Sequence, residues 1–168
     1  MKKLVIGLGN PILGDDGIGW KVAERVQQSL PTSLTCQASN RQGHLQTVEV
    51  ECASLGGLSL MERLLGYEHV ILVDSIATGQ NPIGSVEVFP LERLSNPMAG
   101  HSASPHDVSL LTALKIAVSL GANIPKKIDV VAIETQNLYE FSEELTPPVA
   151  AAVPIAAEKV LQLLQEVP

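Results

Sequence analysis

Short apolar runs alternate along the chain with segments of helical periodicity. The continuous apolar runs in KKLVIGL, HVILVDS and KIDVVAIET predict strands that are buried on both faces of a sheet. The alternating segment QTVEVEC, residues 46–52, predicts a half-exposed strand, and GSVEVFP predicts an edge strand that ends at Pro90. Strands separated by helices are typical of an α/β protein in which helices cover a largely parallel sheet.

Two helices are predicted in the amino-terminal half of the chain. The first ends before Pro31 and buries apolar residues four positions apart, namely Ile18, Val22 and Val26. Trp20 lies off this stripe, so we expect it on an exposed face, where it is either a docking residue or a single surface aromatic without a role. The second helix follows Gly56 and buries Leu60, Met61 and Leu64.

Two further helices are predicted in the carboxyl-terminal half. One begins at Pro105, ends at Gly121 and is expected to bury Val108, Leu111, Leu114 and Val118. The other is LTPPVAAAVPIAAEKVLQLL, with Thr146 as the N-cap and Pro147 as the first helical residue. Pro154 is expected to kink this helix.

Composition and charge narrow the class of protein. The 168 residues are 45% hydrophobic and 17% charged, which predicts one globular domain over 1–168. The net charge of −7 opposes nucleic-acid binding. The chain has two cysteines, Cys36 and Cys52, without C-x-x-C spacing, and no signal peptide or apolar run near the length of a membrane helix. We therefore expect a cytoplasmic monomer that does not enter a membrane.

The segment GLGNPILGDDGIG follows the first predicted strand. Glycine-rich turns at this place usually bind phosphate, but Asp15 and Asp16 would repel it. The segment also lacks the third glycine of a dinucleotide fingerprint and the lysine of a P-loop. A phosphate ligand is therefore unsupported, and the two acids favour a cation.

Three residues are candidates for a site at the carboxyl edge of the sheet, where open α/β sheets bind ligands. Asp16 follows the first strand, Asp74 ends the ILVD strand, and His106 lies in the first turn of the helix after SASP. Two carboxylates and a neutral imidazole can bind a divalent metal such as nickel, iron or zinc and leave coordination positions open. Each residue also has an ordinary alternative: Asp15 or Asp16 as a helix cap, Asp74 as a turn or cap residue, and His106 as a solvated side chain.

Three other polar residues were weighed for the same site. Cys52 is either a nucleophile or a small buried apolar residue, and the second interpretation is favoured. His101 is either a neighbour of the site or a solvated loop residue. Glu134, at the end of the last strand, is either a fourth acid of the site or a group that holds a helix or loop by hydrogen bonds.

Four ordered motifs together resemble the hydrogenase maturation proteases of nickel-iron hydrogenases. They are GxGNPxxxDDGxG after the first strand, VDS at the end of a buried strand, SPHDxSLLTAL at the start of a helix, and LTPPVAAAVP near the end. The resemblance implies a three-layer α/β/α sandwich with a mostly parallel, twisted sheet of five strands. It also implies an endopeptidase that removes the C-terminal extension of the hydrogenase large-subunit precursor after nickel has been inserted.

The resemblance also assigns the candidate residues. Asp16, Asp74 and His106 match the family's metal-binding positions, and we predict that they carry the catalysis as well. The nickel would be supplied by the active site of the substrate, so incomplete coordination by the protease would let it test for the metal before it cuts. With no nucleophile evident, we expect attack by water, with the metal polarising the scissile carbonyl or with Asp16 or Asp74 as the general base.

Two alternatives remain beside this interpretation. The same three ligands would suit a non-catalytic nickel-binding or hydrogenase-docking module. VIGLGNP also resembles the opening of peptidyl-tRNA hydrolases, but no T-R-H-N segment follows and the acidic charge opposes tRNA binding.

Overall fold

The sheet of the computed structural model is built outward from the first strand. The structure describes residues 1–30, 38–39, 45–95, 105–136 and 141–166, with the backbone alone for 38–39, 45–46, 94–95 and 105–109. The strands are β1 (Lys2–Leu8), β2 (Ala38–Ser39), β3 (Leu45–Ala53), β4 (His69–Ile76), β5 (Val86–Pro90) and β6 (Lys127–Glu134). Their order is β2-β3-β1-β4-β6-β5. The four central strands are parallel, and β2 and β5 pair antiparallel at the two edges. The predicted five-stranded, mostly parallel sheet is confirmed, and the two-residue β2 extends it.

Helices cover both faces of this sheet. They are α1 (Ile18–Ser29), α2 (Gly57–Leu64), α3 (Pro105–Ser119) and α4 (Pro147–Gln165), with 3₁₀ turns at Gly14–Gly17 and Leu91–Ser95. Because strand residues alternate between faces, Val70 and Leu72 pack in one core with α2 and α3. Ile71 and Val73 pack in the other core with α1 and α4. The α/β/α sandwich is confirmed.

The buried faces of two helices differ in part from the predictions. In α3 the buried residues are Leu110, Ala113, Leu114 and Ala117, so the prediction is confirmed for Leu114 and wrong for Val118, which is 56% exposed. Leu111 is half-buried, and the side chain of Val108 lies outside the described residues. Eight of the 15 residues of this helix are apolar and they lie on several faces, so periodicity alone could not select the face that meets the sheet. Trp20 is half-buried rather than exposed, and its indole nitrogen is inaccessible to solvent.

The last helix is the most apolar long helix of the described residues. By length and composition α4 could cross a membrane, so the expectation that no segment approaches that length is wrong. Its apolar character has a local reason, because seven of its residues are buried in the core between the sheet and α1: Val149, Ala152, Ala156, Ala157, Val160, Leu163 and Leu164. Thr146 and Pro147 begin it as predicted, and the helix continues through Pro154.

Titratable side chains of β1, β4 and β6 are buried at the amino edge of the sheet. His69 and Asp129 are 1% and 5% exposed, and His69 Nε2 lies 2.7 Å from Asp129 Oδ2. Lys127 Nζ lies 2.9 Å from the same oxygen. Lys3 is also buried, and its ammonium donates to the carbonyl oxygens of Leu164 and Glu166, which closes the C-terminus of α4. The cluster therefore ties three strands to the last helix.

We predict that Asp129→Asn destabilises the fold by about 3 kcal/mol at pH 7, because it removes the buried carboxylate that lies within hydrogen-bonding distance of His69 and the half-buried ammonium of Lys127. Burial raises the pKa of Asp129, but the hydrogen bonds from His69 and Lys127 outweigh it and hold the pKa below its ordinary value. A lowered folded-state pKa gives stability that is present above the ordinary aspartate pKa of about 4 and is lost as the pH falls through the folded-state value.

Urea unfolding of wild type and Asp129→Asn at pH 7 and pH 3 measures this effect. The difference between the two proteins should shrink at pH 3. Glu166→Gln is the matched control, because its exposed pair with Lys127 is worth less than about 1 kcal/mol. Equal losses for the two variants at pH 7 would contradict the prediction.

Candidate functional site

The two adjacent acids of the first loop have different partners. Asp15 is 4% exposed, and its carboxylate accepts hydrogen bonds from the backbone nitrogen and hydroxyl of Thr146, at 2.7 and 2.8 Å. It therefore ties the loop to the N-terminus of α4, where the helix dipole favours an anion. The predicted alternative of a cap on α1 is wrong for both acids, because α1 has Gly17 as its N-cap and no side-chain cap.

Asp16 is half-buried and turns toward the end of β4. Its Oδ2 accepts from the backbone nitrogen of Asn10 at 2.7 Å, and its Oδ1 accepts from the hydroxyl of Ser75 at 3.2 Å. The loop can close this tightly because Gly9 has a φ of 115°, and a Cβ at Gly9 would overlap the Asp16 carbonyl oxygen. Gly9 thus allows the tight turn that holds the Asp16 carboxylate beside the end of β4.

Asp74 lies on β4, two residues before the strand ends at Ile76, so the strand continues past the predicted end. Its side chain is 2% exposed, and its Oδ1 accepts from the backbone nitrogen of Ser75 at 2.8 Å. By alternation Asp74 shares the face of Leu72 and Ile76, which is the face covered by α2 and α3.

A single residue therefore connects the two candidate carboxylates. Ser75 donates through its backbone nitrogen to Asp74 and through its hydroxyl to Asp16. Two hydrogen bonds from one residue place the carboxylates less than about 10 Å apart. The structure thus brings together two of the three predicted site residues, which are 58 positions apart in the sequence.

His106 lies in the first turn of α3, as predicted, and its side chain is outside the described residues. The C-terminal end of α3 is followed closely by Asn123, whose carbonyl accepts from Gly66, and by Lys126, which donates to Glu68 before β4. These contacts place the end of α3 at the amino edge of the sheet. A helix of 15 residues spans about 22 Å, so α3 begins toward the carboxyl edge, on the face of Asp74.

Among side chains that the structure describes, no group of three His, Cys, Asp or Glu is arranged to hold a metal. Glu134 holds a loop, which was one of its two predicted roles: its carboxylate accepts from the backbone nitrogens of Thr78 and Gly79 and from the Thr78 hydroxyl, at 2.7 to 2.8 Å. Cys52 is half-buried, and burial, together with the charge of Glu24, raises the pKa of its thiol. A protonated thiol is a poor nucleophile. His101 lies outside the described residues.

The residues that sequence reasoning missed are Ser75 and Thr146. Ser75 follows Asp74 directly in the VDS motif, but only the structure shows that its hydroxyl reaches Asp16. Thr146 was predicted as an ordinary N-cap, whereas its hydroxyl donates to Asp15. Neither partner is near in sequence, so no local pattern could have revealed these bonds.

Comparison with known proteins identifies the class. A family model described as HycI, hydrogenase maturation protease, matches residues 35–163. The Hydrogenase 2 maturation protease of Escherichia coli (strain K12) is 29% identical over 168 residues, which cover 99% of this chain and 92% of that protein. The solved structure of the hydrogenase maturating endopeptidase HybD from E. coli has a TM-score of 0.74 at 26% identity and covers 98% of this chain and 93% of its own. The [NiFe] hydrogenase maturation protease HybD from Thermococcus kodakarensis shares the fold, with a TM-score of 0.69 at 22% identity and coverage of 98% and 100%.

The fold and these similarities define an endopeptidase. The chain belongs to the hydrogenase maturation protease family. Family membership decides against the non-catalytic module and the peptidyl-tRNA hydrolase that the sequence had left as alternatives. Asp74 and the helix that carries His106 lie within the residues matched by the family model, whereas Asp16 precedes them.

Proposed function

We propose that the enzyme removes the C-terminal extension from the large-subunit precursor of a nickel-iron hydrogenase after nickel has been inserted. In this proposal Asp16, Asp74 and His106 bind the nickel of the substrate and carry the cleavage. The observation that supports it most strongly is the double hydrogen bond of Ser75, which joins Asp16 and Asp74 at the carboxyl edge of the sheet.

The chemistry of these groups suits a metal that belongs to the substrate. Two carboxylates and one imidazole supply three ligands to a divalent ion, and nickel accepts further ligands. The remaining positions would be filled by the precursor's own groups. A precursor without nickel would then lose this part of its binding free energy, which makes cleavage depend on completed metal insertion.

Hydrolysis by water is the reaction that fits the described groups. The oxygen of water would add to the carbonyl carbon of the scissile peptide, the carbon–nitrogen bond would break, and the proton would pass to the departing amine. Asp16 is the carboxylate that would accept the proton first, because it is half-buried whereas Asp74 is 2% exposed. The raised pKa of the Cys52 thiol disfavours a thiolate mechanism.

A processing assay tests the proposal. The enzyme is mixed with nickel-loaded or metal-free large-subunit precursor, and the mass of the precursor is followed over time. We expect loss of one C-terminal peptide from the nickel-loaded precursor alone. Cleavage of both forms would overturn the recognition of nickel, and binding without cleavage of either would overturn the assigned reaction.

We predict that Ser75→Ala lowers the rate of cleavage at saturating precursor about tenfold, because the charged Asp16 carboxylate loses the hydrogen bond from the Ser75 hydroxyl. The backbone bond to Asp74 remains, so the precursor concentration at half-maximal rate should change little. Ser75→Thr keeps the hydroxyl and should restore most of the rate. Equal losses in Ser75→Ala and Ser75→Thr would show that the hydroxyl does not position Asp16.

A further inference from the structure

Two large apolar side chains are exposed beside the loop that carries Asp16. Ile12 is 48% exposed and Phe141 is 85% exposed. Their segments are paired: the backbone nitrogen of Ser142 donates to the carbonyl of Ile12 at 3.1 Å, and Gly14 donates to the carbonyl of Ser142 at 2.6 Å. The pairing is parallel, with Leu13 opposite Ser142, so Ile12 and Phe141 precede the two bridged residues in neighbouring segments.

This pair is fixed firmly to the candidate site. Ile12 precedes Asp16 by four residues in one tight loop, and Asp15 ties the same loop to Thr146 through two hydrogen bonds. The segments 9–17 and 141–146 are therefore joined at two places, Leu13 with Ser142 and Asp15 with Thr146. A chain that lies across Ile12 and Phe141 would be held a few residues away from Asp16.

Acidic residues border the apolar pair. Glu143 and Glu144, two and three residues after Phe141, are exposed, and neither loop segment, 9–17 or 141–146, contains a lysine or arginine. An apolar surface with an acidic border matches a partner segment that presents an apolar side chain next to basic ones.

We propose that Ile12, Phe141, Glu143 and Glu144 form a docking surface for the hydrogenase precursor. They would receive a segment in which an apolar side chain is flanked by lysine or arginine. The inference rests on the proposed function, because it names where the substrate of that site binds outside the metal. Docking here would align the precursor so that its metal reaches Asp16 and Asp74.

Phe141→Ala tests the surface by the kinetics of cleavage. We expect the precursor concentration at half-maximal rate to rise about tenfold or more, since an exposed phenylalanine that becomes buried contributes that much to binding. The rate at saturation should stay the same, because the carboxylates are untouched. The double variant Glu143→Lys/Glu144→Lys should also bind the precursor more weakly than wild type. Raising the salt concentration should reduce the difference in binding between this double variant and wild type.

Leu120→Ala is the matched control. Leu120 is 80% exposed, but it follows α3 at the opposite edge of the sheet. It should leave both kinetic constants unchanged. A Phe141→Ala variant that behaves like Leu120→Ala would overturn the docking surface and leave the proposed function intact.

A binding measurement separates the two proposals. Metal-free precursor is titrated with wild type and Phe141→Ala by calorimetry, so that no cleavage is required. Weaker binding by the variant would support the docking surface even if the processing assay failed. Finally, the oligomeric state of the enzyme alone is measured by sedimentation. If wild type forms dimers and Phe141→Ala does not, the surface binds a second copy of this chain, and the proposal is overturned.

Discussion

Asp74→Asn and Asp16→Asn are each expected to slow cleavage of nickel-loaded precursor by about a thousandfold or more. Each removes one negative charge from a site that the proposed function requires to bind a cation. Asparagine keeps the size of the side chain, and at position 74 its amide oxygen can still accept from Ser75. At position 16 the amide oxygen keeps one of the two bonds, from Ser75 or from Asn10. The fold should therefore survive, and the loss should appear in the processing assay and not in the unfolding transition.

His106→Ala completes this set, and we expect an effect of similar size on cleavage. Glu158→Gln is the control, because it removes an exposed carboxylate from α4 and should leave the rate unchanged. The rates are measured from the mass of the precursor, and the folding of every variant is checked by circular dichroism. Normal processing by any of the three site variants would remove that residue from the proposed site.

Gly19→Ala is expected to destabilise the fold by about 3 kcal/mol or more. Gly19 lies in α1 and is buried, and a Cβ there would overlap the carbonyl oxygens of Leu8 on β1 and Val73 on β4. Backbone atoms of a central sheet cannot move aside as a flexible side chain can. The better helix propensity of alanine, about 1 kcal/mol, is too small to offset the overlap.

Urea unfolding measures this loss, and Gly121→Ala is the control. Gly121 has a φ of 74° and open space around its Cα, so alanine there carries only the strain of a left-handed backbone, about 1 to 2 kcal/mol. Gly19→Ala should also slow precursor cleavage, because a displaced α1 shifts the 3₁₀ turn that holds Asp16. Equal stability of Gly19→Ala and wild type would mean that α1 does not need this close approach to the sheet.

The strands and helices could be predicted because their patterns are local. Runs such as HVILVDS are buried on both faces, so the four successive residues 70–73 are apolar and the strand can be predicted from the sequence. The face of α3 could not be predicted in the same way. Val118 and Ala117 are both apolar, and only the way the helix packs on the sheet decides that Ala117 is buried and Val118 exposed.

For the candidate site, too, some features could be predicted from the sequence and others required the structure. Asp16, Asp74 and His106 were placed at strand and helix ends from sequence position and from the resemblance to the family. Which of the two adjacent acids serves the fold could not be decided, because Asp15 and Asp16 are chemically identical. The structure separates them by their partners, Thr146 for Asp15 and Ser75 for Asp16.

The sequence by itself determined the order of the elements, the acidic charge and the residue types that can bind a metal, because these depend on composition and on contacts between near neighbours. Only the tertiary structure decided that one serine joins the two carboxylates, that Asp15 fastens the last helix, and that His69 and Asp129 pair in the interior. The physical reason is that a hydrogen bond between residues far apart in the chain depends on how strands are ordered and how helices pack, and no local pattern of apolar and polar residues encodes that order.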